Sequence, residues 1–289
     1  MNKKYRKMIE QIKLDSEAYT DKEMKPVYKA QKDELDALNV LLGGLFIKYS
    51  IDGLLKMNSS QKADIGVKTL LKDMGKRLGN DEVEKVASIL DNVYSDTYYK
   101  NAFVQDIGLK IDLKFNILKK EFIDAAVNAK YKGDLFSDRI WTNKADMIDK
   151  LQASLTDVMN GKTTIDKVAR DIKNTFNVKA YESKRLVNTE MARCQSQASV
   201  DIANDIGIEK HMWSATLDLL TNPEDASFDG QLFDVNDDSE PQIPLHPNCR
   251  CEWVNEAYPG WQPTQRRDNE TKEVIDYVQY DEWESSKGI

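Results

Sequence analysis

The chain has 289 residues, 40% hydrophobic and 31% charged, which is typical of a globular protein and not of a disordered one. Its formal net charge of −8 argues against a protein whose main work is coating nucleic acid, although it leaves room for a local basic patch. Three cysteines, Cys194, Cys249 and Cys251, are too few and odd in number for a disulfide scaffold. The first residues carry no apolar signal core, and the longest apolar run, 41–47, is too short for a bilayer. We therefore expect synthesis and folding in a cytoplasm, with no membrane contact.

The first part of the chain, residues 2–130, has the pattern of successive helices. A charged helical pattern runs from Met24 to about Leu42, where the Gly43-Gly44 pair predicts a kink or break. Asn80 is a suitable N-cap for a helix that continues to about Ala102. The sequence thus predicts that residues 1–125 are all helical.

The character of the chain changes near Lys130. Residues 131–134, Tyr-Lys-Gly-Asp, predict a turn, and three further helical patterns follow it. The third of these helices is predicted from about Glu182 to Asp205, and Cys194 lies on its apolar stripe. That position favours a packed core cysteine over a reactive one.

Strand signals occur only after Gly207. Residues 212–215 can pair with a later strand near 251–254, and Asp229-Gly230 is a turn dipeptide between them. The change from a 3.6-residue to a two-residue periodicity predicts an α+β protein, with a mostly helical N-terminal region and a short antiparallel sheet near the C-terminus.

These patterns predict three consecutive segments. Residues 1–128 form a helical N-terminal region, and residues 129–255 form a small α+β domain. Residues 256–289 combine prolines with an acidic excess, which predicts an extended C-terminal arm with room for a short helix at 273–280.

Residues 244–251 have the sequence Pro-Leu-His-Pro-Asn-Cys-Arg-Cys, which resembles the segment that closes the domain of phage head-morphogenesis proteins of the Mu F-like family. Further pieces precede it in the order that this family has. They are Phe136 to Ile140, Gly161 with Thr163 and Thr164, Asn188-Thr189-Glu190 with Arg193, Trp213, the set Asp218, Thr221 and Pro223, and Asp229-Gly230. The resemblance covers about residues 130–254, and its closing segment centres on His246, Asn248, Cys249 and Cys251.

The resemblance implies a small Mu F-like α+β domain in a phage minor head protein, also called a minor capsid protein. Such a protein would join the procapsid in low copy and bind the portal protein inside the head. It would act there in head assembly and in DNA packaging, retention or ejection. The implied partners are the portal, the viral double-stranded DNA through weak non-specific contacts, and the scaffold or major capsid protein.

An enzyme is the alternative, either a metal-dependent nucleic-acid hydrolase or a toxin-like effector that carries a Mu F-like domain. The sequence contains no Gly-x-Ser-x-Gly elbow and no phosphate-binding glycine loop, and only about 35 residues follow the closing motif. We therefore predict no catalytic residues and no enzymatic activity.

The closing segment also contains candidate metal ligands. His246, Cys249 and Cys251 carry donors that suit zinc, and Asp225 is the candidate for a fourth ligand. Many members of the family have a histidine or a Cys-x-x-Cys pair where this chain has Asn222 and Asp225. This departure predicts a low metal content and no cofactor, with a structural zinc ion left open. The alternative is that the loop side chains bond to backbone while the cysteines pack as small apolar residues.

One stripe of the predicted 182–205 helix is polar. Arg185, Thr189 and Arg193 are spaced at i, i+4 and i+8, and Glu190 can pair with Arg193 at i, i+3. This stripe either contacts a partner or the loop around His246, or forms a locally salt-bridged helix face.

A basic stretch precedes the Mu F-like domain, whereas residues 201–240 carry eleven Asp and Glu and a single Lys. We therefore expect any DNA contact at the basic stretch, through phosphates and without sequence preference. The candidate contacts are Lys114, Lys119, Lys120, Lys130 and Lys132. The alternative is that these lysines only solvate helices.

Overall fold

The computed structural model describes residues 2–109, 117–256, 259–261 and 263–288. The elements in chain order are α1 (Asn2–Glu23), α2 (Lys25–Tyr49), β1 (Ser50–Ile51), β2 (Leu54–Leu55), α3 (Ser59–Ile65), α4 (Val67–Leu109), α5 (Lys120–Val127), α6 (Phe136–Met159), α7 (Ile165–Ile206), β3 (Lys210–Ser214), α8 (Pro223–Ser227), β4 (Leu232–Asp234), β5 (Glu252–Asn255), β6 (Gln265–Arg267), β7 (Val274–Asp276) and α9 (Tyr280–Ser286). Among the described residues, no helix combines the length and the apolar character needed to cross a membrane.

The chain packs as two compact units, each built from separate stretches of sequence. The helical unit contains residues 22–87 and 130–186. The sheet unit contains residues 1–21, 88–129 and 187–289. Because both units are discontinuous, they do not correspond one to one with the three consecutive segments that the sequence predicts.

In the helical unit, two glycines of α4 allow α6 to pack closely. A Cβ atom at Gly79 would lie 2.3 Å from Cζ3 of Trp141, and one at Gly75 would lie 2.7 Å from Cγ1 of Ile148. Leu71, Met74 and Met147, all fully buried, continue this contact into the core of the unit. Glycine suits these helical positions because the Trp141 ring and the Ile148 side chain occupy the space that a Cβ atom would need.

This packing corrects two predicted helix boundaries. Helix α4 runs from Val67 through Gly79 and Asn80, so Asn80 is not an N-cap. Helix α2 runs through Gly43 and Gly44, so of the predicted kink or break, the break is wrong. Glycine lowers helix propensity by only about 1 kcal/mol, and burial of neighbouring apolar side chains outweighs that cost.

A hairpin interrupts the predicted all-helical region. Strands β1 and β2 pair antiparallel, with Ser50 opposite Leu55. The turn between them is Asp52-Gly53, and both residues have positive φ, 53° and 78°. An Asp-Gly pair favours this two-residue hairpin turn, so the signal was present in the sequence but was missed. The prediction of an entirely helical stretch 1–125 is therefore wrong at residues 50–55.

Helix α7 continues from Ile165 to Ile206, where the sequence indicates two helices. The four-residue turn at 131–134 is confirmed, since Tyr131 and Asp134 form a β-bridge around Lys132 and Gly133 with positive φ.

In the sheet unit, β3 lies between β4 and β5 in an antiparallel sheet. Trp213 is directly opposite Trp253, and their rings meet edge to face with centroids 5.2 Å apart. The predicted pairing of residues 212–215 with 251–254 is confirmed, and so is the α+β fold class with its mostly helical N-terminal region.

Residues after 255 are not an extended arm where the structure describes them. Strands β6 and β7 pair antiparallel, and α9 covers 280–286 instead of 273–280. Trp283 is fully buried, and its Nε1 donates to Asp268 Oδ2 at 2.9 Å. An acidic composition predicted weak order, but a few buried aromatic side chains anchor the segment.

Candidate functional site

The loop 244–251, which we call the Cys-Arg-Cys loop, leads into β5 and is fixed on α7. The backbone N–H of Asn248 donates to Thr189 Oγ1 at 3.0 Å, and Thr189 is buried. Asn248 has a φ of +62°, and the N–H of Cys249 donates to the carbonyl of His246 at 3.1 Å. Thr189 therefore holds a tight turn that sets the direction of the histidine and both cysteines.

The neighbouring pair on α7 is an internal anchor. Glu190 is 1% exposed and accepts from Arg193 Nε at 2.7 Å. The same guanidinium donates to the carbonyls of Ala126 and Val127, at 2.6 and 3.0 Å, at the C-terminal end of α5. A cation suits that end of a helix because its last carbonyls are unpaired. Of the polar stripe, Arg185 alone belongs to the helical unit, where it is exposed and lies over the ring of Tyr181.

Asp218 and Thr221 organise the turn after β3. The Arg250 guanidinium makes a two-pronged contact with the Asp218 carboxylate. Burial alone would raise the pKa of Asp218, but the guanidinium reverses this and holds that pKa below its ordinary value. Thr221 Oγ1 donates to the carbonyl of Thr216 at 2.5 Å. Because Arg250 stands between the two cysteines, this pair also fixes the Cys-Arg-Cys loop.

Gly230 occupies a position that a side chain would disturb. Its φ is +78°, and a Cβ atom would lie 2.6 Å from Gln279 Nε2 and 2.9 Å from the Tyr277 hydroxyl. Its N–H donates to the carbonyl of Trp213 at 3.0 Å. The glycine of the motif thus serves both the backbone turn and the close approach of the segment before α9.

The metal-ligand candidates come together in the sheet unit as a group that we call the thiol–carboxylate cluster: Asp225, His246, Cys249 and Cys251. Ligand atoms of Asp225 and the two cysteines all lie within 4.8 Å of one another, and all three residues are buried. His246 Nε2 lies 2.7 Å from Asp225 Oδ2, and Cys249 Sγ lies 3.8 Å from both oxygens of that carboxylate. Asn222 instead caps α8, accepting from the N–H of Glu224 at 2.9 Å.

The cluster has unusual proton affinities. A hydrogen bond from Cys251 lowers the pKa of Cys249 to about 7, whereas burial raises the pKa of Cys251. Burial alone would lower the pKa of His246, but the Pro247 carbonyl and the Asp225 carboxylate raise it. Cys194 differs, because burial raises its pKa to about 11. The cluster can therefore supply a thiolate near neutral pH, although both cysteines also pack in an apolar group with the sheet tryptophans.

The DNA-contact candidates divide between the two units. Lys119 and Lys120 are exposed in the sheet unit, and Lys120 pairs with Asp124 at 2.9 Å. Lys130 and Lys132 are exposed in the helical unit. Lys114 lies outside the described residues.

Sequence reasoning missed Arg266 and Lys13 as site-forming residues, and it named Asp229 only as part of the turn pair Asp229-Gly230. Arg266 is buried and donates to both oxygens of Asp229. Lys13 Nζ donates to the carbonyl of Arg250 within the Cys-Arg-Cys loop. An isolated lysine or arginine far from the motif carries no local signal of such a contact.

Comparison with known proteins gives one family match and several relatives. Residues 149–254 match the family described as Phage Mu protein F like protein. The minor head protein of Bacillus phage SPP1 is 22% identical over 294 aligned residues, which cover 92% of each chain. No solved structure matches the chain.

Two other relatives are longer proteins. An NAD(+)–arginine ADP-ribosyltransferase of Enterococcus faecalis is 28% identical over 64% of this chain, and an uncharacterised protein of Haemophilus influenzae is 28% identical over 65%. This chain spans only 41% and 43% of their lengths. The family match includes the Thr-Glu-x-x-Arg helix, the turn after β3 and the Cys-Arg-Cys loop. Residues 149–254 therefore resemble the Phage Mu protein F like family, and the chain is similar to a phage minor head protein along 92% of its length.

Proposed function

We propose that this protein is a phage minor head protein that binds the portal inside the procapsid and head. It acts there in head assembly and in DNA packaging, retention or ejection, near the portal within the virion. The observation that carries the proposal is the similarity to the minor head protein of Bacillus phage SPP1 along 92% of both chains. A match of that extent includes both compact units and not the motif segment alone.

The arrangement of the motif residues supports a structural role. Thr189 bonds the Cys-Arg-Cys loop, Arg193 bonds the end of α5, and Asp218 bonds Arg250. Each of these polar groups is engaged within the sheet unit, as expected of residues that hold a domain in shape. A catalytic group would instead need access to a substrate.

The helical unit offers an apolar surface for docking. Val40 and Ile47 on α2 are 76% and 88% exposed, and Ile51 on β1 is 53% exposed. Val40 and Ile47 lie about two turns apart on the same side of α2, and exposed apolar side chains grouped on one face often mark protein interfaces. We propose this surface for the portal contact.

The test is quantitative mass spectrometry of purified heads made with and without the portal protein. We expect the protein in portal-containing heads and its loss from heads that lack the portal. Ile47→Asp should reduce incorporation severalfold, whereas Lys32→Asp, at an exposed position of the same helix, should not. Equal incorporation with and without portal would refute portal binding.

ADP-ribosyl transfer is the second candidate, favoured only by the name of the Enterococcus faecalis relative. More than half of that relative lies outside the match, so similarity over the shared segment is not by itself evidence of the activity. We propose that this chain is not an enzyme. Incubation of the purified protein with NAD⁺ and an arginine-rich acceptor should leave NAD⁺ intact, and incubation with DNA and divalent ions should leave the DNA uncut.

A further inference from the structure

The contacts of His246 require a proton or a metal ion at Nε2. Nδ1 lies 2.9 Å from the carbonyl oxygen of Pro247. A carbonyl can only accept, so Nδ1 must carry a proton. In the neutral ring, Nε2 then presents a lone pair to the Asp225 carboxylate, only 2.7 Å away. Two lone pairs at that distance repel unless a proton or a metal ion lies between them.

The surroundings of Asp225 favour a metal ion over a proton. Cys249 Sγ is 3.8 Å from the Asp225 oxygens, and a sulfur of Cys251 lies within 4.8 Å of the same group. A proton shared by His246 and Asp225 would not explain why two thiols converge on a buried carboxylate.

We propose that Asp225, His246, Cys249 and Cys251 bind a single structural zinc ion. Two sulfur, one nitrogen and one oxygen donor form a four-ligand set of the kind zinc prefers, and sulfur disfavours magnesium and calcium. For metal–ligand bonds of about 2.0 to 2.3 Å in a tetrahedron, ligand atoms are separated by roughly 3.3 to 3.8 Å. The distances of 3.8 Å from Cys249 Sγ to the Asp225 oxygens lie at the upper end of this range, and His246 Nε2, 2.7 Å from Asp225 Oδ2, would move away from that oxygen.

Neighbouring contacts hold the four ligands from outside. The Nδ1–H of His246 bonded to a backbone carbonyl is the arrangement that orients metal-binding histidines. Trp213 Nε1 donates to the backbone carbonyl of Asp225 at 3.0 Å, which fixes the short helix α8 against the sheet. Lys13 bonds the carbonyl between the two cysteines. Residues of α8, the Cys-Arg-Cys loop and α1 therefore contribute to holding the ligands in place.

The sequence predicted a low metal content because Asp225 replaces a ligand type common in the family. The fold changes that expectation, since α8 places the Asp225 carboxylate within reach of both cysteines. Zinc would join α8 to the Cys-Arg-Cys loop that leads into β5. The proposal concerns stability of the sheet unit and is independent of portal binding.

The test uses the full chain, expressed in zinc-supplemented medium, purified without chelator under reducing conditions and analysed by elemental mass spectrometry. We expect about one zinc ion per chain in the wild type. Cys249→Ser and Cys251→Ser should each lose most of the zinc, and Asp225→Asn should weaken its binding. Cys194→Ser, which changes a buried cysteine outside the cluster, is the matched control and should keep full zinc.

A second measurement covers the case that a ligand variant fails to fold. Wild-type protein stripped of metal is titrated with cobalt, which gives visible absorption bands when thiolates bind it tetrahedrally. The zinc-loaded protein should also show two thiols protected from a thiol reagent that the stripped protein exposes. Folded, reduced wild-type protein that takes up neither zinc nor cobalt overturns the proposal, as do folded cysteine variants with undiminished zinc. Head incorporation, measured separately, decides portal binding whichever result is obtained.

Discussion

The guanidinium of Arg266 donates to both carboxylate oxygens of Asp229, at 2.5 and 3.1 Å, and each side chain is only 2% exposed. Asp229 also accepts from the backbone N–H groups of Ala215 and Tyr280, at 2.9 and 2.8 Å. Arg266 lies beyond the segment 149–254 that matches the family. The residues after that segment therefore complete the polar interior of the sheet unit.

This pair gives a prediction on stability. Asp229→Ala leaves a buried guanidinium without its counter-ion and should lower the free energy of unfolding by about 3 to 5 kcal/mol. The double variant Asp229→Ala, Arg266→Met should recover part of the loss because no unpaired charge remains. Urea unfolding of the wild type, Asp229→Ala, Arg266→Met and the double variant measures the coupling free energy between the two side chains. Asp33→Ala, which removes an exposed ion pair with Lys29, should leave the urea midpoint almost unchanged.

A second prediction compares two helical glycines. In an open helix position, Gly→Ala stabilises by about 0.5 to 1 kcal/mol. Gly44 has no atom within 4 Å of an added Cβ, so Gly44→Ala should raise the Tm. Gly79→Ala would place its Cβ 2.3 Å from the Trp141 ring and should destabilise by about 1 to 3 kcal/mol. Thermal unfolding followed by circular dichroism distinguishes the two. A Gly79→Ala protein as stable as wild type would mean that Trp141 does not pack against this helix.

A third prediction concerns acid stability through His211. This side chain is fully buried and stacks on Trp253 with ring centroids 3.8 Å apart. Nε2 lies 2.7 Å from Glu240 Oε2, whereas Nδ1 has no hydrogen-bond partner among the described residues. A second proton would therefore have no acceptor, and burial lowers the pKa of His211 to about 4.

The sign follows from proton binding. Between pH 6.5 and about 4 the unfolded chain protonates this histidine and the folded chain does not, so the stability that it contributes falls with falling pH. The loss reaches at most about 3 kcal/mol at the low end. Burial raises the pKa of Glu240, which acts in the opposite direction. His211→Phe keeps the stack and removes the titration, so its unfolding free energy should fall less steeply than that of wild type. Parallel slopes in urea unfolding across this range would contradict a neutral buried His211.

The fourth prediction concerns the basic stretch before the Mu F-like segment. We propose that Lys114, Lys119, Lys120, Lys130 and Lys132 make weak phosphate contacts. Each contact releases counter-ions, so log Kd for duplex DNA should change with log salt by about 0.9 per contact. Reversal of all five charges to Glu should abolish duplex binding at low salt, as measured by fluorescence anisotropy.

The control reverses exposed lysines elsewhere. Lys25, Lys32 and Lys48 on α2 are exposed, and their reversal alters net charge without touching the basic stretch. If each reversed charge in this control weakens DNA binding as much as each reversed charge in the test variant, the effect comes from net charge. The basic stretch is then not the DNA contact. If the variant with all five charges reversed binds DNA as well as wild type, these lysines are solvated surface residues and do not contact DNA.

The sequence alone determined the fold class and the resemblance to the Mu F-like family, because both rest on local patterns. Periodicity changes near Gly207, and β3 pairs with β5 as residues 212–215 and 251–254 predict. The Asp-Gly hairpin at 52–53 was also readable, since its turn chemistry is local. Segment order along the chain sufficed to recognise the Mu F-like motif, because the motif is defined by spacing.

Only the tertiary structure decided what depends on distant partners. Asn80 has the sequence character of an N-cap, but in the fold it lies inside a continuous helix in which the neighbouring Gly79 packs against Trp141. The acidic segment after residue 255 reads as weakly ordered until Trp283 and Arg266 are found buried. The sequence does not show that Asp225 lies beside Cys249 and Cys251, whereas in the fold their ligand atoms lie within 4.8 Å of one another. In each case, the feature depends on contacts between residues far apart in sequence. Such contacts leave no periodic signal in the local sequence.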